Sequence, residues 1–241
     1  MTISILAIDE KTGRMGGAAA TGSLCVGGWV LRGAPESGMS ASQGTAPSTL
    51  WGDGVLAAMH GGATAEDAVA MVVAPDTGRD HRQLAALDPT GGTGHFTGAE
   101  SVVHAGAVVA PGVVVAGNML SGPRVPDAAL KGFLEAEALD FPLRLMAALS
   151  AAAAAGGDAR GLKSAALLVV SRKAAPLTLR IDHSDRPLAA LADLYTVSQA
   201  EPYHSWTEVV PVLDDPWRAP DPADVPETPE PIVKASPAVP R

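Results

Sequence analysis

Thr2 follows Met1 directly, and removal of that methionine would leave a β-hydroxyl and a free α-amine on one residue. A small second residue is the ordinary condition for such removal. The two groups can then act as nucleophile and general base without any other side chain. An α-amine has an ordinary pKa of about 7.7–8.0, near the pH at which a general base works best. Thr2 also opens an alternating stretch, Thr2-Ile3-Ser4-Ile5-Leu6-Ala7-Ile8-Asp9. Alternation puts Thr2, Ser4 and Leu6 on one face and Ile3, Ile5 and Ala7 on the other. Two hydroxyls therefore look the same way. Threonine is also favoured in strands for its branched side chain, and Ser4 reads first as a satisfied strand hydroxyl.

Other polar residues stand where strands are expected to end. Asn118 follows Gly117 at the close of an apolar run, and an amide there can point at a developing oxyanion; it reads equally as a turn residue or cap. Gln43 ends one expected strand and Arg82 begins another. Such groups can hold a substrate amide or carboxylate, arginine bidentately, although Arg82 reads equally as a surface ion-pairing residue. Cys25 sits in an apolar stretch with no histidine at a telling spacing and reads as inert. The six histidines lack metal-ligand spacing, and Asp182-His183-Ser184-Asp185 reads as a polar loop, so neither a metal nor a cofactor is expected. Gly91-Gly92-Thr93-Gly94 lacks the lysine of a phosphate loop and reads as a hairpin turn. Gly44-Thr45 and Gly92-Thr93 are formal self-cleavage sites that a strand-borne Thr2 makes unnecessary.

The elements that must position these residues come in an α+β order. A turn at Asp9-Glu10-Lys11-Thr12-Gly13 predicts a hairpin between Thr2 and Thr21. Its second strand is built of Gly16, Gly17, Ala18, Ala19 and Ala20, a surface that another layer or a ligand can approach closely. Further strands are expected over 24–31, 38–43, 82–88, 95–97, 108–116, 165–170 and 177–181. Helices are expected from Ser48 to Gly61-Gly62, from an N-cap at Thr64 with Asp67 three residues on, over 127–138 and 141–155, and from Pro187 to about Gln199. Hairpins in succession with helices in blocks are not a βαβ alternation. We divide the chain into a domain over 1–200, a docked extension over 201–218 and a Pro-rich acidic tail over 219–241, read as disordered. Ten of the 20 prolines lie from Pro202 onward.

Composition narrows the function classes. The chain has 241 residues, 47% hydrophobic and 18% charged, with only 4% aromatic, so the core must be built from Ala, Val and Leu. The net charge of −9 and the lack of any Lys/Arg run argue against a nucleic-acid or acidic-membrane partner. One cysteine permits no internal disulfide, and the N-terminus has no signal-peptide pattern, so the expected compartment is the cytoplasm. Apolar runs are too short to span a bilayer. A homo-oligomer is neither required nor excluded.

The order of short motifs resembles the DUF1028 family, uncharacterised proteins placed in the N-terminal-nucleophile (Ntn) hydrolase superfamily. The likeness lies in Thr2-x-Ser4-Ile5-x-Ala7-x-Asp9, Gly16 with the small strand to Thr21, Val26-Gly27, Ser42-Gln43 and the helical region 56–68. It continues through Arg82-Gln83, Thr97-Gly98, Gly117-Asn118-Met119-Leu120, Gly156-Gly157-Asp158 and Ser164-Ala165-Ala166-Leu167. It covers about residues 2–199. Thr21 stands where a serine is usual, and Gly44-Thr45-Ala46 where bulkier residues are typical. The resemblance implies an α-β-β-α four-layer sandwich with two mainly antiparallel sheets, in which the processed N-terminal residue attacks an amide carbonyl. Only Thr2 carries over to that role.

The expected function is therefore an Ntn-type amidohydrolase acting on a small amide or peptide-like substrate. Thr2 is nucleophile and base, Asn118 the oxyanion candidate, and Gln43, Arg82 and Ser4 line the substrate site. Two other readings use the same residues differently: a non-catalytic small-molecule-binding protein on the same fold, and an assembly subunit that presents the Pro-rich tail.

Overall fold

We describe the protein in a computed structural model that covers residues 2–158 and 160–221. The chain opens with β1 (Thr2–Asp9) and β2 (Arg14–Thr21), followed by the short helix α1 (Val26–Trp29), β3 (Leu31–Ala34) and β4 (Gly38–Gly44). Helices α2 (Thr49–His60) and α3 (Ala65–Val73) come next, then β5 (Arg82–Leu87), β6 (Thr93–Thr97), β7 (Gly106–Ala110) and β8 (Val113–Asn118). The second half runs through α4 (Val125–Glu135), α5 (Phe141–Ala154), β9 (Ser164–Val170), β10 (Leu177–Ile181), α6 (Pro187–Ser198) and α7 (Tyr203–Val209). The strands form two sheets, of order β10-β9-β2-β1-β8-β7 and β3-β4-β5-β6, and every pairing is antiparallel. The expectation of an α+β protein with two antiparallel sheets holds.

Strand alternation sorts the apolar residues into three clusters. Ile3, Ile5, Ala18 and Ala20 face α4, α5 and α6, where Phe133, Phe141 and Leu145 are buried. Leu6, Ala19, Val114, Ala116 and Ala166 face the other sheet, and meet Met39, Ala41, Ala85 and Leu87. On the far side of that second sheet, Leu84 and Ala86 pack against Trp51, Val55 and Val69 of α2 and α3. The small residues of β2 serve this packing rather than a ligand. A Cβ on Gly16 would lie 2.8 Å from Leu145 Cδ1, and one on Gly17 would lie 2.7 Å from Leu6 Cδ2.

Local signals set several boundaries. Thr64 caps α3, accepting the Asp67 N–H at 3.1 Å, an arrangement that stabilises a helix by about 1 kcal/mol. Two strand expectations are corrected. Residues 24–31 are not one strand: Val26–Trp29 is helical, because Cys25 takes a left-handed conformation (φ 59°) and Val26 donates its N–H to Ser164 Oγ at 3.2 Å. Residues 108–116 are a hairpin, with Ala110 paired to Val113 around Pro111-Gly112 and Gly112 at φ 67°. Proline pre-sets one turn position and glycine accepts the positive φ at the next.

The chain beyond the sheets packs back on them. The Asp214 N–H donates to the Arg172 carbonyl at 2.9 Å, and Arg172 Nε lies 2.9 Å from Asp214 Oδ1. The proline-rich stretch from residue 222 onward lies outside the described residues. Among the described residues, no helix is long and apolar enough to cross a membrane.

Candidate functional site

Cross-strand register brings polar residues into one row at the end of the six-stranded sheet. Ser164, Thr21, Thr2 and Asn118 are successive partners across β9, β2, β1 and β8. Directly paired residues project to the same side, and this side is the one that Leu6, Ala19, Ala116 and Ala166 present to the other sheet. The four-stranded sheet answers with its own row, Gln43, Gln83 and Thr97, paired across β4, β5 and β6. Both rows lie where an apolar inter-sheet layer would otherwise continue, and every member but Thr97 is buried.

Hydrogen bonds join the rows. Gln83 Nε2 donates to the carbonyls of Gly117 (2.9 Å) and Gly106 (3.1 Å) and reaches Thr97 Oγ1 at 2.9 Å. Gln83 Oε1 accepts from Gln43 Nε2 at 2.7 Å and from Asn118 Nδ2 at 3.1 Å. Buried amides tied in this way hold one another rigidly, because any unmade bond there carries the full cost of desolvation. The Thr2 hydroxyl donates to Thr21 Oγ1 at 3.3 Å, and Thr2 is 9% exposed.

A cavity of about 400 Å3 opens beside Thr2, a size suited to a small molecule. Thr2, Thr21, Gln43, Thr45 and Arg160 supply polar groups, and Leu24, Trp29, Val30 and Met119 are among its apolar residues. Arg160 is the only ionisable side chain among the described lining residues. It is held by Asp158, whose side chain is fully buried: Asp158 Oδ1 accepts the Arg160 N–H at 2.7 Å and Nε at 3.2 Å, and Oδ2 accepts Nη2 at 3.2 Å. Oδ2 also takes the Gly22 N–H at 2.6 Å, which requires a glycine, since a Cβ there would stand 2.3 Å from the same oxygen. Met119, next to Asn118, is in the left-handed region at φ 55°. A non-glycine residue there costs roughly 1–2 kcal/mol, and the strain turns the chain sharply out of β8 at the cavity wall.

The residues expected to share the site separate into two groups. Thr2 and Gln43 line the cavity; Asn118 does not, but it lies beside Thr2 in register and its amide reaches Gln83. Ser4 shares the face of Thr2 but lies two residues further in, its hydroxyl 3.5 Å from the Ala116 carbonyl and outside the cavity wall. Arg82 is also outside it: Nη1 is 3.5 Å from Asp76 Oδ1 and its guanidinium carbon is 5.8 Å from the centre of the Trp51 ring. Asn118 does not lead straight into a helix; six residues separate it from the start of α4. Gln83, Thr21, Ser164 and Arg160 were not singled out as site residues. The signal for Gln83 was present: alternation from Leu87 and Ala85 places a polar amide at an inter-sheet position. No such pattern marks Arg160, which arrives on an irregular segment. Among the described residues, no group of three His, Cys, Asp or Glu side chains could hold a metal ion.

Two antiparallel sheets, with a cavity at one end of their interface bordered by a buried polar row, define an α+β protein with a candidate site at Thr2. Residues 2–191 match the model of DUF1028, described as a family of unknown function, and the chain belongs to that family. It is similar to protein SPO2555 of Silicibacter pomeroyi, whose crystal structure is assigned to the same family model. The two are 49% identical and superpose with a TM-score of 0.87, over 91% of this chain and 99% of that one. No curated protein matches the chain.

Proposed function

We propose that the protein is an N-terminal-nucleophile amide hydrolase in which Thr2, freed by removal of Met1, attacks a small amide or peptide-like substrate in the 400 Å3 cavity. The observation that carries the reading is the place of Thr2: the second residue of the chain lies in a buried polar row and on the wall of that cavity. The layer order, helices on each outer face of two stacked sheets, supports placement in the Ntn superfamily as an α-β-β-α sandwich.

In this mechanism the α-amine of Thr2 takes the Oγ1 proton as Oγ1 bonds to the substrate carbonyl carbon. The carbonyl oxygen gains the electron pair, and Asn118, with one amide hydrogen given to Gln83, offers its other to that oxyanion. The C–N bond then breaks, and the leaving amine takes the proton from the Thr2 ammonium. Water attacks the resulting ester and gives a proton to the Thr2 α-amine, which returns it to Oγ1 as the C–Oγ1 bond breaks and the acid departs. Thr21 orients the hydroxyl before attack. Arg160, steadied by Asp158, offers a cation to a carboxylate elsewhere on the substrate.

The test combines an intact-mass measurement with turnover of an amide panel. Active protein that retains Met1 in full would rule out the mechanism. The apolar walls favour one second reading, a binding protein with the same cavity and no chemistry. Under it, ligands raise the melting temperature equally in wild type and Thr2→Ala, and no amide is turned over.

A further inference from the structure

The amide network fixes which end of Gln43 faces what, and the consequence is a constraint on the ligand. Gln83 is oriented by the main chain: its Nε2 sits 2.9 Å from the Gly117 carbonyl and 3.1 Å from the Gly106 carbonyl, and two acceptors there require the NH2 group. Its Oε1 must then be an acceptor, and both neighbours must present donors to it. Gln43 does so with Nε2 at 2.7 Å, and Asn118 with Nδ2 at 3.1 Å. Reversing the Gln43 amide would set two carbonyl oxygens against each other. The orientation therefore passes from two backbone carbonyls through Gln83 to Gln43.

Among the described residues, that leaves Gln43 Oε1 without a hydrogen-bond partner, on a residue 1% exposed that forms part of the cavity wall. Other buried side-chain atoms lack a partner among the described residues (on Arg82, Ser101 and Arg144), but none of those residues lines this cavity. A buried acceptor left unpaired is costly, and native structures leave few. Gln43 Oε1 is itself covered, so it is satisfied when the wall gives way and a ligand brings a donor to it.

We infer that the ligand of this cavity carries an N–H that donates to Gln43 Oε1, so that the site selects primary and secondary amides over tertiary amides and esters. The inference rests on the reading of this cavity as the place where the amide binds. Apolar groups such as Trp29 and Val30 hold the rest of the ligand, and Gln43 sets which polar edge may face it. A ligand with acceptors alone leaves Oε1 buried and unpaired, and sites built to receive a hydrogen bond reject analogues lacking it more strongly than sites of purely apolar shape.

The test is a binding measurement in the Thr2→Ala protein, where no turnover occurs, by NMR titration with three matched probes: N-isobutylacetamide, isobutyl acetate and N-isobutyl-N-methylacetamide. The ester replaces N–H by oxygen without adding bulk, so it separates loss of the donor from steric exclusion. We expect the secondary amide to bind about tenfold more tightly than either analogue, and Gln43→Leu to bring amide and ester within about twofold by the same reasoning. Equal binding of amide and ester in Thr2→Ala, or no binding of the amide, overturns the inference, as does a preference that survives Gln43→Leu. The Thr2→Ala comparison decides even if Gln43→Leu fails to fold. Absence of turnover in wild type would remove the hydrolase reading and leave this preference intact; equal binding would do the reverse.

Discussion

Asn118 Nδ2 donates to Gln83 Oε1 at 3.1 Å, and this bond ties the last residue of β8 in one sheet to β5 in the other. Elsewhere the sheets meet through apolar side chains such as Leu6, Met39 and Leu87. At this end they meet through amides, and Thr2 lies next to Asn118 in the same row. The bond therefore fixes the distance between the proposed nucleophile and the wall opposite it.

Replacing Thr2 with alanine should abolish amide turnover while leaving the fold intact. Its side chain gives one long hydrogen bond, 3.3 Å to Thr21, so the stability cost should stay near 1 kcal/mol. Turnover by an amide panel and a thermal melt check both halves. Thr2→Ser keeps hydroxyl and amine together and should retain measurable activity.

Gln83→Leu should be among the most destabilising single changes. It leaves the Gly106 and Gly117 carbonyls, Gln43 and Asn118 without their shared partner in a buried layer. A loss of about 2–4 kcal/mol is expected from a broken buried network, read as a lower midpoint in urea denaturation. A cost under about 0.5 kcal/mol, the range of an ordinary surface substitution, would show that the network does not hold the sheets.

Asp88 sets an acid limit on stability. Burial raises its pKa, but hydrogen bonds from the Thr90 side chain and from the backbone of Ala65, Thr90 and Gly92 outweigh that and hold its carboxyl below the usual range. A carboxyl depressed in the folded state contributes stability above the unfolded value of about 3.9 and loses it as pH falls through the lower folded value. Asp88→Asn should thus destabilise the protein at neutral pH, and the gap from wild type should narrow below about pH 4. Melting curves from pH 7 to pH 3 measure this; a gap independent of pH would refute it.

Gly22→Ala should loosen the cavity wall. The added Cβ would stand 2.3 Å from Asp158 Oδ2 and 2.6 Å from the Gly161 carbonyl. Asp158 must move, and Arg160 moves with it. Overpacking of this kind costs about 1–3 kcal/mol, and under the hydrolase reading KM for a carboxylate-bearing amide should rise more than kcat falls.

Local chemistry alone determined much of this protein. Alternation in β1 placed Thr2 on the face of Leu6, Thr64 and Asp67 marked the start of α3, and Pro187 marked the start of α6. These follow from a residue's own periodicity or from a neighbour three positions away, which sequence displays directly. The apolar run over 108–116 reads as one strand and masks the turn at Pro111-Gly112, which shows only in the pairing of Ala110 with Val113. Tertiary structure decided what depends on register between distant strands. Thr2 meets Thr21 and Asn118 only because β1 pairs with β2 and β8 in one alignment, and a slip of one residue would turn its side chain to the helices. Arg82 and Gln43 looked alike as strand-end polar groups. Cross-strand pairing put Gln43 opposite Gln83 on the cavity wall, while Arg82 was drawn outward to Asp76 and Trp51. The unpaired oxygen of Gln43 depends on carbonyls 63 and 74 positions away, at Gly106 and Gly117. That is a relationship between surfaces, and no local pattern encodes it.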